Sequence, residues 1–141
     1  MSNEITLKNV RLSFPSLFKR AEYAGNKLKY ETIVLIPKSD EETYNLIQLK
    51  TAEMLVKHGM TENKLKLKDG DESVSFPNHA GHWTLKVSNS FKPVVKDDNK
   101  LLTEEDGKIY PGCIANVTID LSVETTLFGK LLKYNLLSVK V

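Results

Sequence analysis

Apolar residues fall at every second position along five stretches of this chain and at helical spacing along one. ITLKNVRLSF (5–14) opens the series with two phases: Ile5 and Leu7 share one, while Val10, Leu12 and Phe14 share the other. A period of two that changes phase predicts a long strand with a bulge near Asn9, as a strand curling round a barrel needs. KLKYETIVLIP (27–37) is a second strand, stopped by Pro37, and HWTLKVSNS (82–90) a third. IYPGCIANVTIDLSVETT (109–126) is entered through Pro111-Gly112 and alternates cleanly. Ala115, Val117, Ile119, Leu121 and Val123 face in; Asn116, Thr118, Asp120, Ser122 and Glu124 face out. LFGK (127–130) turns the chain into a last strand, LLKYNLLSVKV (131–141).

Between the second and third strands the period changes to that of a helix. Tyr44, Ile47, Thr51, Met54, Leu55 and His58 recur at helical spacing over about residues 40–58. Ser39 with Glu42 reads as a capping box, Asp40 and Glu41 add acid at the positive helix end, and Gly59 supplies the stop. Three connections remain: a basic and aromatic loop over 15–26, a stretch over 60–80 with a turn at Asp69-Gly70, and a polar irregular segment over 91–108. The order β-β-α-β-β-β predicts a mainly β domain, a five-stranded Greek-key barrel of the OB type with one helix plugging an end. An open α+β sheet is the main competitor. Residues 1–141 are expected to form a single domain, with no repeat or linker.

Composition changes this picture little. Apolar residues make up 40% and charged residues 27%, an ordinary balance for a soluble protein. The single cysteine, Cys113, excludes an internal disulfide and a cysteine-rich zinc module. No run approaches a membrane span, and MSNEITLKNV lacks the apolar stretch of a secretion signal, so a cytoplasmic setting is expected. Net charge is only +2, but its distribution is uneven. Residues 1–38 carry seven Lys/Arg against three Glu (+4), residues 73–96 three Lys and no acid (+3), and residues 97–107 five acids against Lys100 (−4). A nearly neutral total can hide a basic groove.

Catalytic chemistry finds no support. His79 and His82 with Cys113 lack the glutamate of a metallohydrolase helix, and read as surface or capping histidines. Asp69, Asp71, Asp97, Asp98 and Asp106 lie among Gly, Asn and Lys, where solvated turn residues are expected. Cys113 has no local nucleophile signature, and no glycine loop cradles phosphate. No cofactor or metal is expected. What remains is aromatic residues interleaved with basic ones: Phe14, Phe18, Lys19 and Arg20; Lys27, Lys29 and Tyr30; Phe91 and Lys92. Single-stranded nucleic acid calls for this mixture, cations tracking phosphates and flat rings taking unstacked bases. On a barrel of this type the ligand crosses the second and third strands and the neighbouring loops. The residues expected to bind it are Arg11, Phe18, Lys19, Arg20, Lys29, Tyr30, Lys86, Phe91 and Lys92, with Phe14 open between this set and the core. Trp83 shares a face with Leu85 and Val87 and is expected to pack inward, leaving Lys86 on the polar face.

Six pieces in order extend over most of the chain: VRLSFPSLFK (10–19), YETIVLIPKS (30–39), LKDGDES (67–73), GHWTLKVSN (81–89), KPVV (92–95) and IYPGCIANV (109–117). With them the sequence resembles the bacteriophage single-stranded DNA-binding proteins of the OB fold. The resemblance implies a non-catalytic protein that coats single-stranded DNA in phage replication, recombination or repair, with replication or recombination proteins as partners. Many proteins of this class end in an acidic partner-recruiting tail. LLKYNLLSVKV is apolar and basic, which leaves the acidic loop 97–107 either to recruit partners or to compete with DNA. Exposed barrel edges also offer pairing to a second copy, a homodimer. The alternatives are a protein-interaction or assembly module on the same barrel and a metal-dependent nuclease.

Overall fold

The computed structural model describes residues 3–20, 29–61, 67–72, 79–127 and 129–141, with the backbone of 22–23 and 26–27. The elements among them run β1 (Glu4–Ser16), β2 (Glu22–Tyr23), β3 (Asn26–Lys27), β4 (Tyr30–Pro37), α1 (Glu41–Lys57), β5 (Lys68–Asp69), β6 (His82–Asn89), β7 (Val94–Asp97), β8 (Lys100–Leu101), β9 (Ile114–Thr126) and β10 (Gly129–Lys140). Five of these strands close a ring. β1 pairs antiparallel with β4 and β9, β4 with β6, and β9 with β10. β10 then meets β6 in parallel at Asn135 and Ser88, where Asn89 Nδ2 donates to the Leu136 carbonyl at 3.1 Å. This is the pairing of the expected five-stranded barrel.

The alternating residues fill it. Leu7, Val10 and Leu12 from β1, Val34 and Ile36 from β4, and Leu85 and Val87 from β6 meet Val117, Ile119, Leu121, Leu132 and Leu136, all fully buried. The phase change in β1 is a bulge. The pairing with β9 slips between Leu7 and Val10, and Asn9 takes φ 54, with its N–H donating to Asn116 Oδ1 at 2.9 Å. One extra residue puts both Leu7 and Val10 inside.

α1 leaves β4 at Pro37 and lays Thr43, Ile47, Thr51 and Met54 against the barrel, with Thr51 Oγ1 2.9 Å from Tyr134 Oη. Its cap differs from the expected one. Asp40, rather than Ser39, is the N-cap; its carboxylate accepts from the Thr43 N–H at 3.2 Å and from Thr43 Oγ1 at 2.7 Å. Both residue types cap well, so a shift of one position costs nothing in propensity. Gly59 ends the helix at φ 65 as its position predicts.

Two further expectations need correction. The second barrel strand starts at Tyr30, because Asn26 and Lys27 pair instead with Glu22 and Tyr23 in a separate hairpin. Residues 91–108 are not irregular throughout: β7 pairs in parallel with β10 and antiparallel with β8, lengthening the barrel wall. Pro93 and Val95 are buried beneath that addition.

On the outer face of β1 and β4, opposite Leu12 and Val34, Ser13 and Leu35 are nonetheless buried. A pair of turns covers them. His79 lies 2.9 Å from Ser13 Oγ and is buried, not at the surface. Gly70 makes this closeness possible: a Cβ there would sit 2.0 Å from the His79 carbonyl oxygen and 2.6 Å from that of His82. Those atoms are backbone and cannot rotate away. Gly70→Ala is therefore expected to destabilise the fold by about 1–3 kcal/mol or more, measured by urea unfolding; an unchanged midpoint would show that the two turns are not in contact.

Candidate nucleic-acid interface

Antiparallel pairing decides where the aromatic-basic clusters go. Ser16 at the end of β1 pairs with Glu31, and Tyr30 at the start of β4 pairs with Asn89 at the end of β6. The loop after β1, the entry to β4 and the turn after β6 therefore emerge at one end of the barrel. α1 leaves from the other end of β4.

At the first end Phe18 is half-buried against the core, and the Lys92 ammonium stands 5.9 Å from its ring centroid. Phe91 is 80% exposed. Its N–H donates to Asn89 Oδ1 at 3.2 Å, and Asn89 Nδ2 is held by the Leu136 carbonyl, so one asparagine ties the turn to two barrel strands. Lys19 and Arg20 are exposed beside Phe18, in a concavity of about 230 Å³ closed by Glu104 and Ile109. Lys19 reaches Glu104 at 3.4 Å, so the acidic loop lies against the basic one. Tyr30 is half-buried and Lys29 exposed. Burial, and then the nearby Lys133 ammonium, lowers the Lys29 pKa from its ordinary value. The β9–β10 hairpin thus brings Lys133, with its partner Glu124, to the same end.

The other expected residues are spread along the sheet. Lys86 is exposed in mid-β6 and bonded to Glu31 at 2.8 Å. Arg11 lies farther along β1, opposite Leu35, where Nη1 donates to the Gly112 carbonyl at 2.9 Å. It secures the turn from which Tyr110 projects. Phe14 is 55% exposed and has φ 50, a backbone setting rare for a bulky side chain and commonest at functional sites. That removes it from the core. Sequence reasoning missed Lys133, Tyr110 and the three carboxylates, Glu31, Glu104 and Glu124, that hold interface lysines. Glu31 and Glu124 meet their lysines through strand pairing, and Glu104 meets Lys19 where two loops lie together, none of which a local pattern shows.

A model of one protein family, described as the single-stranded DNA-binding protein of Enterobacter phage Enc34, matches residues 3–140. This chain belongs to that family. Protein p50 of Acyrthosiphon pisum secondary endosymbiont phage 1 is 34% identical, over 83% of this chain and 71% of the relative. The Enc34 protein, solved in complex with single-stranded DNA, superposes with a TM-score of 0.85 at 27% identity, covering 98% of this chain and 85% of that one. The bacteriophage T7 single-stranded DNA-binding protein shares the fold, with a TM-score of 0.60 at 16% identity over all of this chain and 86% of its own.

In this Enc34-family member Trp83 is structural. It packs on the core rim, stacked on Tyr44 with centroids 4.8 Å apart, and Lys38 lies 4.8 Å above its ring. Lys38 also bonds Asp69 at 2.7 Å and Asp71 at 2.6 Å, and Asp71 accepts the Gly81 N–H at 2.6 Å. Two of the candidate metal carboxylates are thus spent on a clamp. No three His, Cys, Asp or Glu residues are placed to hold a metal ion among the described residues. His82 Nδ1 lies 2.9 Å from the Ala80 carbonyl, and burial, then the His82 charge, lowers the pKa of His79.

The clamp carries a pH signature. Hydrogen bonding to Lys38 lowers the pKa of Asp69 and Asp71, and the same bonds raise that of Lys38. A lowered carboxylate pKa stabilises the fold above the unfolded value and stops doing so as pH falls through the folded one. The raised Lys38 value keeps its contribution complete at neutral pH, to be lost only in strong alkali. Asp71→Asn is therefore expected to melt below the wild type at neutral pH, the gap closing as pH falls through and below the carboxylate range. A gap independent of pH would rule the clamp out.

Proposed function

We propose that this chain is a non-catalytic, sequence-tolerant single-stranded DNA-binding protein. It acts in phage DNA replication, recombination or repair, in the host cytoplasm, with its 141 residues working as one binding domain. The observation that carries this reading is the convergence of Phe18, Phe91, Tyr30, Lys19, Lys29 and Lys92 at one barrel end, in a chain of the Enc34 family.

Lys and Arg hold phosphates in this mechanism while the rings stack bases, so binding tolerates any sequence because every base has a face. The carboxylates at the interface set the starting state. Glu31 and Glu104 hold Lys86 and Lys19 until a phosphate replaces them. The Lys19–Glu104 pair is exposed at both ends, and such pairs are worth only about 0–1 kcal/mol, so that exchange costs little. Glu104 belongs to the acidic loop, which on this reading competes with DNA for Lys19 and leaves as the strand enters. Replication or recombination proteins are the expected protein partners.

Mobility shifts with single-stranded DNA, duplex DNA and RNA oligonucleotides test the reading. Retardation is expected with single-stranded DNA above the others. If about three to five phosphates are neutralised, log K falls with log salt at a slope of roughly −2 to −3.5. Absence of binding, with retention of a partner protein instead, would favour the interaction-module alternative; cleavage in Mg²⁺ or Mn²⁺ would favour the nuclease. Phe91→Ala should weaken binding by roughly 1–3 kcal/mol and leave the melting temperature unchanged, because the ring is mostly in solvent. Unchanged affinity would remove Phe91 from the site.

A further inference from the structure

The outer face of β1, β9, β10 and β7 carries a groove of about 410 Å³ that the interface above does not use. Strand register builds it from rows of short polar side chains. Ser138 lies between Val94 and Thr118, and Thr118 pairs in turn with Thr6, their hydroxyls 3.1 Å apart. The next row sets Lys96 against Lys140, with Asn116 beyond. The two exposed lysines are therefore direct neighbours on adjacent strands. Like charges so placed destabilise a sheet. None of the lining residues is acidic, and among the described residues neither ammonium has a carboxylate partner. This differs from Lys19, Lys86 and Lys133, each held by a glutamate.

The groove also connects to the barrel end. Lys92, Val94 and Lys96 are exposed while Pro93 and Val95 between them are buried, so one edge-to-edge line of outward side chains runs from the Phe18–Lys92 contact into the groove. Four residues of extended chain cover roughly 13 Å. The Val141 N–H donates to the Lys96 carbonyl at 2.9 Å and fixes the end of that line.

We propose that the single-stranded DNA path continues from Phe91 and Lys92 along β7, and that Lys96 and Lys140 bind its phosphates in this groove. The inference rests on the DNA-binding reading above and extends it to a second surface. Hydroxyls and the Asn116 amide suit phosphate oxygens, and a phosphate between the two ammonium groups removes their repulsion. The groove has no exposed ring, so it follows the backbone without taking bases.

The test is fluorescence anisotropy with the full chain, wild type and K96A/K140A, across a salt series. Two oligonucleotides are compared, of about 4 and about 16 nucleotides, the limits of site size for one such barrel. For the long oligonucleotide the double variant should show a slope shallower by about 1.4, two contacts at roughly 0.7 each, and weaker binding at low salt. The short one should bind both proteins alike. K96E/K140E should enlarge the long-oligonucleotide defect, with melting curves confirming that each variant is folded. Equal slopes for wild type and variant on the long oligonucleotide would overturn the proposal, as would an equal loss on both lengths, which is bulk charge and no path. Retention of poly-glutamate by the wild type but not the variant, with the DNA slope unchanged, would assign the groove to an acidic peptide and overturn it too. Failure of the wild type to bind either oligonucleotide would instead remove the DNA-binding reading itself.

Discussion

A strand hydrogen-bonded along both edges to opposite walls of a barrel has to bend without turning its apolar side chains outward. β1 meets this constraint with an extra residue. Glu4 to Leu7 follow β9, which Val10 and Arg11 rejoin after a slip at Lys8 and Asn9, and Arg11 to Ser16 follow β4. Asn116 holds the bulge through its side-chain oxygen. Without the slip, either Ile5 and Leu7 or Val10 and Leu12 would face solvent, and the fully buried core could not form. A second irregularity, between Ser13 and Ser16, coincides with the left-handed Phe14 and sends the chain off the barrel into the Phe18–Arg20 loop. The bend that closes the barrel and the bend that delivers the candidate site are thus features of one strand.

Closure then leaves the two ends of the barrel unlike. α1 seals one end with Ile47, Thr51 and Met54, and the Lys38–Asp69–Asp71 clamp with Trp83 and Tyr44 gathers near it. The opposite end is left to Phe18, Phe91, Lys19, Lys29 and Lys92. His79 and Gly70 cover the outer sheet face over Ser13, so the uncovered part lies toward Glu31, Lys86 and Ser88, nearer the aromatic turn. The surface charge there is latent. Lys86, Lys19 and Lys133 are paired there with Glu31, Glu104 and Glu124.

Much of this was legible in the sequence because it rests on period. The barrel strands, the bulge at Asn9, the helix and the inward turn of Trp83 all follow from alternation or its interruption. The shortest elements were not legible: β7 and β8, with four and two residues, span too few periods for their alternation to stand out from a loop. The cap moved from Ser39 to Asp40 because both residue types cap well and local geometry chose between adjacent positions. His79 reads as a surface residue in His-Ala-Gly-His; what buries it is Ser13, 66 positions earlier, and the missing side chain of Gly70. Electrostatic partners were the least legible. Lys96 beside Lys140 is set by strand register alone, and Lys133 beside Lys29 by closure of the barrel.

On the proposed function, single-stranded DNA occupies the barrel end opposite α1. Backbone amide shifts of isotope-labelled protein titrated with a single-stranded oligonucleotide test it most directly. Perturbations are expected to concentrate at Ser16–Arg20, Lys29–Glu31 and Lys86–Lys92, with the exposed helix residues Leu46, Leu49 and Val56 unmoved. Perturbations centred on that helix face, with Phe91 and Lys92 silent, would contradict it.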